Sequence, residues 1–179
     1  KIYDNSVNLN TNQVAATGIT AGLNVLAAVT TVGSIDLRDN IFSSVQTVGT
    51  RYGVLSSAPA TVFATINTND YFAQNVGFIG GAAKASLAAW QAATGQDASS
   101  IAANPQFVSA TDLHIASPGF SPVENVGTSL AAVTVDIDGE TRSGTTPDIG
   151  ADEVDRCAIV TCTNTTCTTY SCDGADGVC

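Results

Sequence analysis

The chain has 179 residues, 44% hydrophobic and 12% charged, which is too apolar for a disordered segment and long enough for one main body with a buried core. Its formal charge of −10, from 16 acidic and 6 basic residues, excludes the basic footprint that nucleic acid or an anionic lipid surface requires. No apolar run approaches the roughly 20 residues of a membrane-spanning helix, so no membrane insertion is expected. Methionine is absent and residue 1 is Lys1, from which processing from a longer chain is expected.

Residues 1 to 80 read as short apolar strands separated by Gly, Asn, Asp and Thr turns. Ile2-Tyr3-Asp4-Asn5-Ser6-Val7 matches Leu37-Arg38-Asp39-Asn40-Ile41-Phe42 at an offset of 35, with Asp-Asn in register. Gly18-Ile19 falls on Gly53-Val54 at the same offset. A shortened third copy sets Thr68-Asn69-Asp70-Tyr71-Phe72 on Arg38-Asp39-Asn40-Ile41-Phe42, and Gly77-Phe78 on Gly53-Val54. A repeat of this length, made of strands and turns, predicts an all-β right-handed parallel β-helix, a solenoid, over residues 1–155. Stacked coils would share one apolar column of Ile2, Leu37, Phe42, Ile66 and Phe72. Asn5, Asn40 and Asp70 are expected to form a ladder at the sharp bends, because Asn and Asp tolerate the left-handed backbone there and need no ligand to explain them.

Beyond Gly80 the pattern changes. Ser86 precedes a run of strong helix formers that ends at Gly95, so a short capping helix is predicted near 86–94. Leu87 and Trp90 share one face of it, which assigns Trp90 to the core in preference to a sugar-stacking platform. Phe107-Val108, Leu113-His114-Ile115 and Val133-Thr134-Val135 read as last, less regular strands broken by Pro105, Pro118 and Pro122.

All five cysteines, Cys157, Cys162, Cys167, Cys172 and Cys179, fall after residue 156. Clustered cysteines in a segment too small to bury a core predict a disulfide-rich tail at 156–179 in an oxidising, extracellular or cell-surface setting. Zinc is the competing explanation, but no CxxC occurs and His114, the single histidine, is distant in sequence. Five is an odd number, so a sulfur is left over for another molecule or for a missing partner.

Leu87-Ala88-Ala89-Trp90-Gln91-Ala92-Ala93-Thr94-Gly95-Gln96-Asp97, Asn104-Pro105-Gln106-Phe107-Val108, Asp112-Leu113-His114-Ile115 and Ser117-Pro118 form an ordered series of motifs. Asp136-Ile137-Asp138-Gly139-Glu140-Thr141-Arg142 and the ending Pro147-Asp148-Ile149-Gly150-Ala151-Asp152-Glu153 continue it. Over residues 35 to 153 this series resembles the C-terminal part of bacterial secreted right-handed parallel β-helix repeat proteins. The tail after Cys157 looks like the opening of a cysteine-rich module found on such proteins. The resemblance implies a surface protein and the solenoid architecture, and it implies no particular activity.

No catalytic signature emerges. Lyase-type β-helices need a carboxylate calcium cluster beside a basic residue, for which Asp36, Asp39, Asp70, Arg38, Arg51 and Lys84 are a thin set. Asn67-Thr68-Asn69-Asp70 lacks the second carboxylate that glycoside hydrolysis requires. Asp136, Asp138 and Glu140 alternate as in a calcium loop, yet their glycine and glutamate are misplaced for an EF-hand, so a turn held by side-chain bonds is expected in preference to a calcium site. His114 has no nearby Ser or Cys partner and reads as solvent-facing. The function expected is therefore a noncatalytic extracellular structural or adhesive surface protein, self-associating by stacking of solenoid ends or binding other surface proteins. A carbohydrate-active module that binds or cleaves polysaccharide is the alternative.

Overall fold

The computed structural model describes residues 1–116 and 121–154. Ten strands precede one helix: β1 (Ile2–Tyr3), β2 (Ser6–Leu9), β3 (Ile19–Val25), β4 (Ile35–Arg38), β5 (Ile41–Ser44), β6 (Thr50–Ser56), β7 (Phe63–Asn67), β8 (Asp70–Phe72), β9 (Asn75–Ile79), β10 (Ala82–Lys84) and α1 (Leu87–Thr94). They form three small sheets in the orders β1-β4-β7, β2-β5-β8 and β3-β6-β9-β10. All pairs are parallel except β9 with β10, which is an antiparallel hairpin across the left-handed Gly80 and Gly81.

The first match at an offset of 35 is a true parallel register, with Ile2 beside Leu37 and Ser6 beside Ile41. Inward side chains stack from it: Ile2, Leu37 and Ile66 along one sheet, Val7, Phe42 and Tyr71 along the next. The rings of Phe42 and Tyr71 stack at 6.0 Å. Each apolar side chain buried in this way contributes roughly 1.5–3 kcal/mol.

The predicted right-handed parallel β-helix over 1–155 is overturned. A solenoid needs a constant repeat, and the offset drops from 35 to 29 where Leu37 meets Ile66, while in the third sheet it goes from 31 at Ile19–Thr50 to 23 at Tyr52–Asn75. Pairing amounts to three small sheets, the last of them mixed, and among the described residues no strand follows Lys84. The strands expected at 107–108, 113–115 and 133–135 reduce to isolated antiparallel bridges, Phe107–Ile115 and Val135–Thr141. Pro105 and Pro122 remove ladder donors there, and the intervening Ser, Thr and Gly cannot bury a repeating face. This half folds instead around a second small core of Ile41, Ile115, Val123 and Ile149. The cysteine-rich tail, with Cys157, Cys162, Cys167, Cys172 and Cys179, lies outside the described residues, as does the domain boundary at 155/156.

The two later glycine matches are also displaced. Ile19 pairs with Thr50, not Val54, and Gly77 sits beside Val54, not Gly53. Glycine is needed at position 77 because of Trp90: a Cβ there would lie 2.4 Å from the indole ring. Helix α1 has the anticipated bounds, with the Ser86 hydroxyl accepting from the Ala89 N–H and Gly95 left-handed at φ 69°. Trp90 is fully buried and its indole N–H donates to Asp97 at 2.7 Å, where the Tyr71 hydroxyl also donates at 2.6 Å.

The bends carry an amide ladder, but its third member is Asn69 and not the expected Asp70. Asn5 Nδ2 donates to Asn40 Oδ1 at 2.8 Å, and Asn40 Nδ2 donates to Asn69 Oδ1 at 3.0 Å. Each amide also donates back to the carbonyl two residues earlier, at Tyr3, Arg38 and Asn67. The residue between must turn into the left-handed region to allow this, and Asp4, Asp39 and Thr68 do so with φ of 50°, 56° and 53°. The third loop is one residue out of step with the sequence match, because Asp70 pairs with Ile41 inside β8 and has become a strand residue.

Asn40 is fully buried and is bonded on both sides of the ladder, so Asn40→Ala leaves buried partners unsatisfied. Urea denaturation should show a loss of about 2–4 kcal/mol for Asn40→Ala and under about 1 kcal/mol for Asn5→Ala, whose amide is exposed at the end of the ladder.

Candidate functional site

The carboxylates considered for a lyase-type calcium cluster are dispersed by the fold. On β4, Asp36 and Arg38 share a face and pair at 2.8 Å, beneath the ring of Tyr3, whose hydroxyl also bonds Asp36. The Arg38 guanidinium holds the Asp36 carboxyl below its ordinary value. Asp39 points the other way, fully buried, and accepts the Thr128 N–H at 2.8 Å. Asp70, also buried, accepts the Ala103 N–H at 3.0 Å. These groups brace the backbone of the irregular half against the sheets, and they do not converge on one cation.

The ending motif does the same work from the other side. Asp148 accepts the N–H groups of Asn125 and Val154, Glu153 those of Ser143 and Asp148, and Asp152 that of Ile115. Ile149 fills the second core. Gly150, at φ 106°, lies so close to β2 and β5 that a Cβ would stand 2.5 Å from Ile41 Cδ1 and 2.7 Å from Ser6 Oγ. The adjacent Ala151 N–H donates to that same Ser6 hydroxyl. The motif is thus a clasp joining the chain's irregular half to its strands.

Arg142 sits in this clasp with its side chain 3% exposed, donating to the carbonyls of Asp148 and Gly150 and to Glu153, with Asp4 at 3.8 Å. It flanks a recess of about 240 Å³ lined by Tyr3, Val133, Val135 and Ile137. Asp4, Asp136 and Arg142 also line it, so its walls are mixed, although the unbonded Asp4 Oδ2 and Arg142 Nε are themselves sealed from solvent. A wider groove of about 460 Å³ between residues 57–60 and the β9–β10 hairpin has Lys84 as the charged residue in its lining. Two carboxylates, Asp4 and Asp136, line the smaller recess, and Asp136 is taken up by three backbone N–H groups.

The loop considered as a calcium site forms a turn. Asp136 Oδ1 accepts the N–H groups of Asp138 and Glu140, and its Oδ2 accepts that of Glu153, which spends Asp136 on backbone. Asp138 faces away from that turn, toward His114. The imidazole lies between two carboxylates, with Nδ1 2.5 Å from Asp112 Oδ1 and Nε2 2.9 Å from Asp138 Oδ2. The hydrogen bond to Asp112 raises the His114 pKa above its ordinary value. The carboxylate of Asp152 completes a group in which one ligand atom each from His114, Asp138 and Asp152 lies within 4.8 Å of the others. The predicted solvent-facing histidine is in fact clasped, though 43% of its side chain is exposed. Spacing in sequence carried no signal for this, since Asp138 and Asp152 reach it from 24 and 38 residues away.

No family model matches the chain, and no significant match emerges among curated proteins or solved structures.

Burial drives the carboxyls of Asp4, Asp70 and Asp148 from the ordinary 3.8 up to about 7, and that of Asp39 to about 6. Arg142, 3.8 Å from Asp4, pulls its pKa down, but burial outweighs that attraction. A folded-state pKa above the unfolded one means that the native protein holds protons the unfolded chain releases, so stability is fully present below about pH 4 and declines as pH rises through about 7. Thermal melts should therefore show a Tm that falls from pH 4.5 to pH 8. Asp70→Asn, which keeps the shape without the ionisation, should flatten the slope.

Proposed function

We propose that this chain is a noncatalytic structural or adhesive module of an extracellular surface protein, and that two copies associate through the end formed by β1, β2 and β3. One observation carries this reading. The apolar column is complete at Leu37, Phe42 and Val54, which are 0%, 2% and 0% exposed, but at the first rung Ile2, Val7 and Leu23 are only partly covered. Each of these strands has one paired neighbour, and Ile19 and Leu26 at the ends of β3 are each 60% exposed. Asn5 presents its Oδ1 at the open end of the ladder, where the next amide would bond.

The opposite end is closed. Gln96 and Asp97 bond to Ile66 of β7, Ile101 pairs with β8, and the β10 hairpin and α1 cover β9. An open end and a closed end cannot propagate head to tail, so association gives a closed two-fold pair, with edges meeting antiparallel. The extracellular setting rests on the clustered cysteines and on the polar but uncharged surface composition.

Sedimentation equilibrium on alkylated protein, which removes disulfide exchange, should show a concentration-dependent monomer–dimer equilibrium. Because each copy carries −10, the dimer should tighten as salt rises from 20 mM to 300 mM. Ile19→Lys with Leu26→Lys should weaken it at least about ten-fold without lowering Tm, since both side chains are exposed. A strictly monomeric protein at millimolar concentration overturns the proposal.

A further inference from the structure

We infer that His114, Asp138 and Asp152 form a binding site for a divalent transition-metal cation of the zinc class, with Asp112 as the residue that orients the histidine. The observation goes beyond a cluster of acids. The three ligand atoms approach within 4.8 Å of one another and come from separate segments, each held independently. Asp138 belongs to a turn fixed by Asp136, whose Oδ1 accepts its N–H at 3.0 Å. Asp152 is anchored through Oδ2 to the Ile115 N–H at 2.7 Å, next to the histidine. His114 is aimed by Asp112 on Nδ1, which leaves Nε2 directed at the other two groups. A carboxylate on the far nitrogen of a ligating imidazole is the usual outer partner of a zinc-bound histidine, because it sets the tautomer and increases the basicity of the ligating nitrogen.

A second observation points to a ligand. Asp152 is 8% exposed, and one of its two carboxylate oxygens makes no hydrogen bond among the described residues. That oxygen is not among the sealed unpartnered atoms of the protein, so it is open to a cation at the centre of the group while the rest of the residue is held in place. On binding, the Nε2 lone pair takes the metal, any proton on that nitrogen passing to solvent, and the direct contact of Nε2 with Asp138 is replaced by two metal–ligand bonds. Two carboxylates neutralise the dication, and the half-exposed face of His114 leaves a fourth position for water. An imidazole and few ligands favour zinc or cobalt over calcium, which takes six to eight oxygens.

The test uses the full chain with its cysteine thiols reduced and alkylated, so that the tail cannot supply thiolate ligands. Titration with Zn²⁺ by calorimetry, and with Co²⁺ followed by its visible d–d bands, should give one equivalent bound, with no thiolate-to-cobalt charge transfer. His114→Ala and Asp138→Asn, both at exposed side chains, should each weaken binding at least about 30-fold. Asp112→Asn should weaken it about ten-fold while keeping the stoichiometry, as expected for an orienting group. A Tm increase on adding Zn²⁺ should vanish in His114→Ala. No binding at millimolar metal, or binding that His114→Ala leaves unchanged, overturns the site.

Discussion

The amide ladder is the constraint on which the rest of the structure depends. Asn5, Asn40 and Asn69 each tie a bend to the carbonyl two residues back, and Asn5 and Asn40 also donate to the amide of the next rung. The bond along the stack fixes which residue lies over which, and so decides that Leu37 meets both Ile2 and Ile66. A slip of one residue would turn every inward side chain outward. The left-handed residue before each amide is the local condition for this, met readily by Asp4 and Asp39 and with strain of about 1–2 kcal/mol by the β-branched Thr68.

With the register set, the remaining problem is the unequal treatment of the two ends of the core. Trp90 closes one end, and it can do so because Gly77 has no side chain beneath the indole ring. Asp97 then accepts from Trp90 and Tyr71 together, a polar anchor buried within an apolar cap. Nothing among the described residues does the same for Ile2, Val7 and Leu23, and that asymmetry motivates the proposed pairing of copies.

The acidic residues show why charge count alone was a poor guide to chemistry. Of the 16 in the chain, Asp39 and Asp70 are buried and accept backbone N–H groups across the junction between the sheets and the irregular half, and the buried Asp148 and Asp152 accept them within the irregular half. They replace the ladder bonds that residues 97 to 154, lacking regular strands, cannot make for themselves. Burial raises the pKa of these groups, a consequence of structural service that does not mark a catalytic centre. His114 differs because its partners, though also structurally held, converge on one exposed nitrogen.

Local pattern was enough to determine several features: the Ile2–Leu37 register, the capped helix from Ser86 to Gly95, the buried Trp90 and the turn at Asp136. In each, the physics acts within a few residues or between near-identical segments, so periodicity and turn chemistry expose it. Tertiary structure decided the rest. The repeat shortened from rung to rung, which removed the solenoid and moved the ladder from Asp70 to Asn69, because the loop lengths answer to what packs above them. The His114 group brings in Asp138 and Asp152 from 24 and 38 positions away, the clasp joins Ala151 to Ser6 across 145, and no spacing rule records such meetings. Burial of a carboxylate, and hence its protonation, is likewise a property of neighbours that only the folded chain assembles.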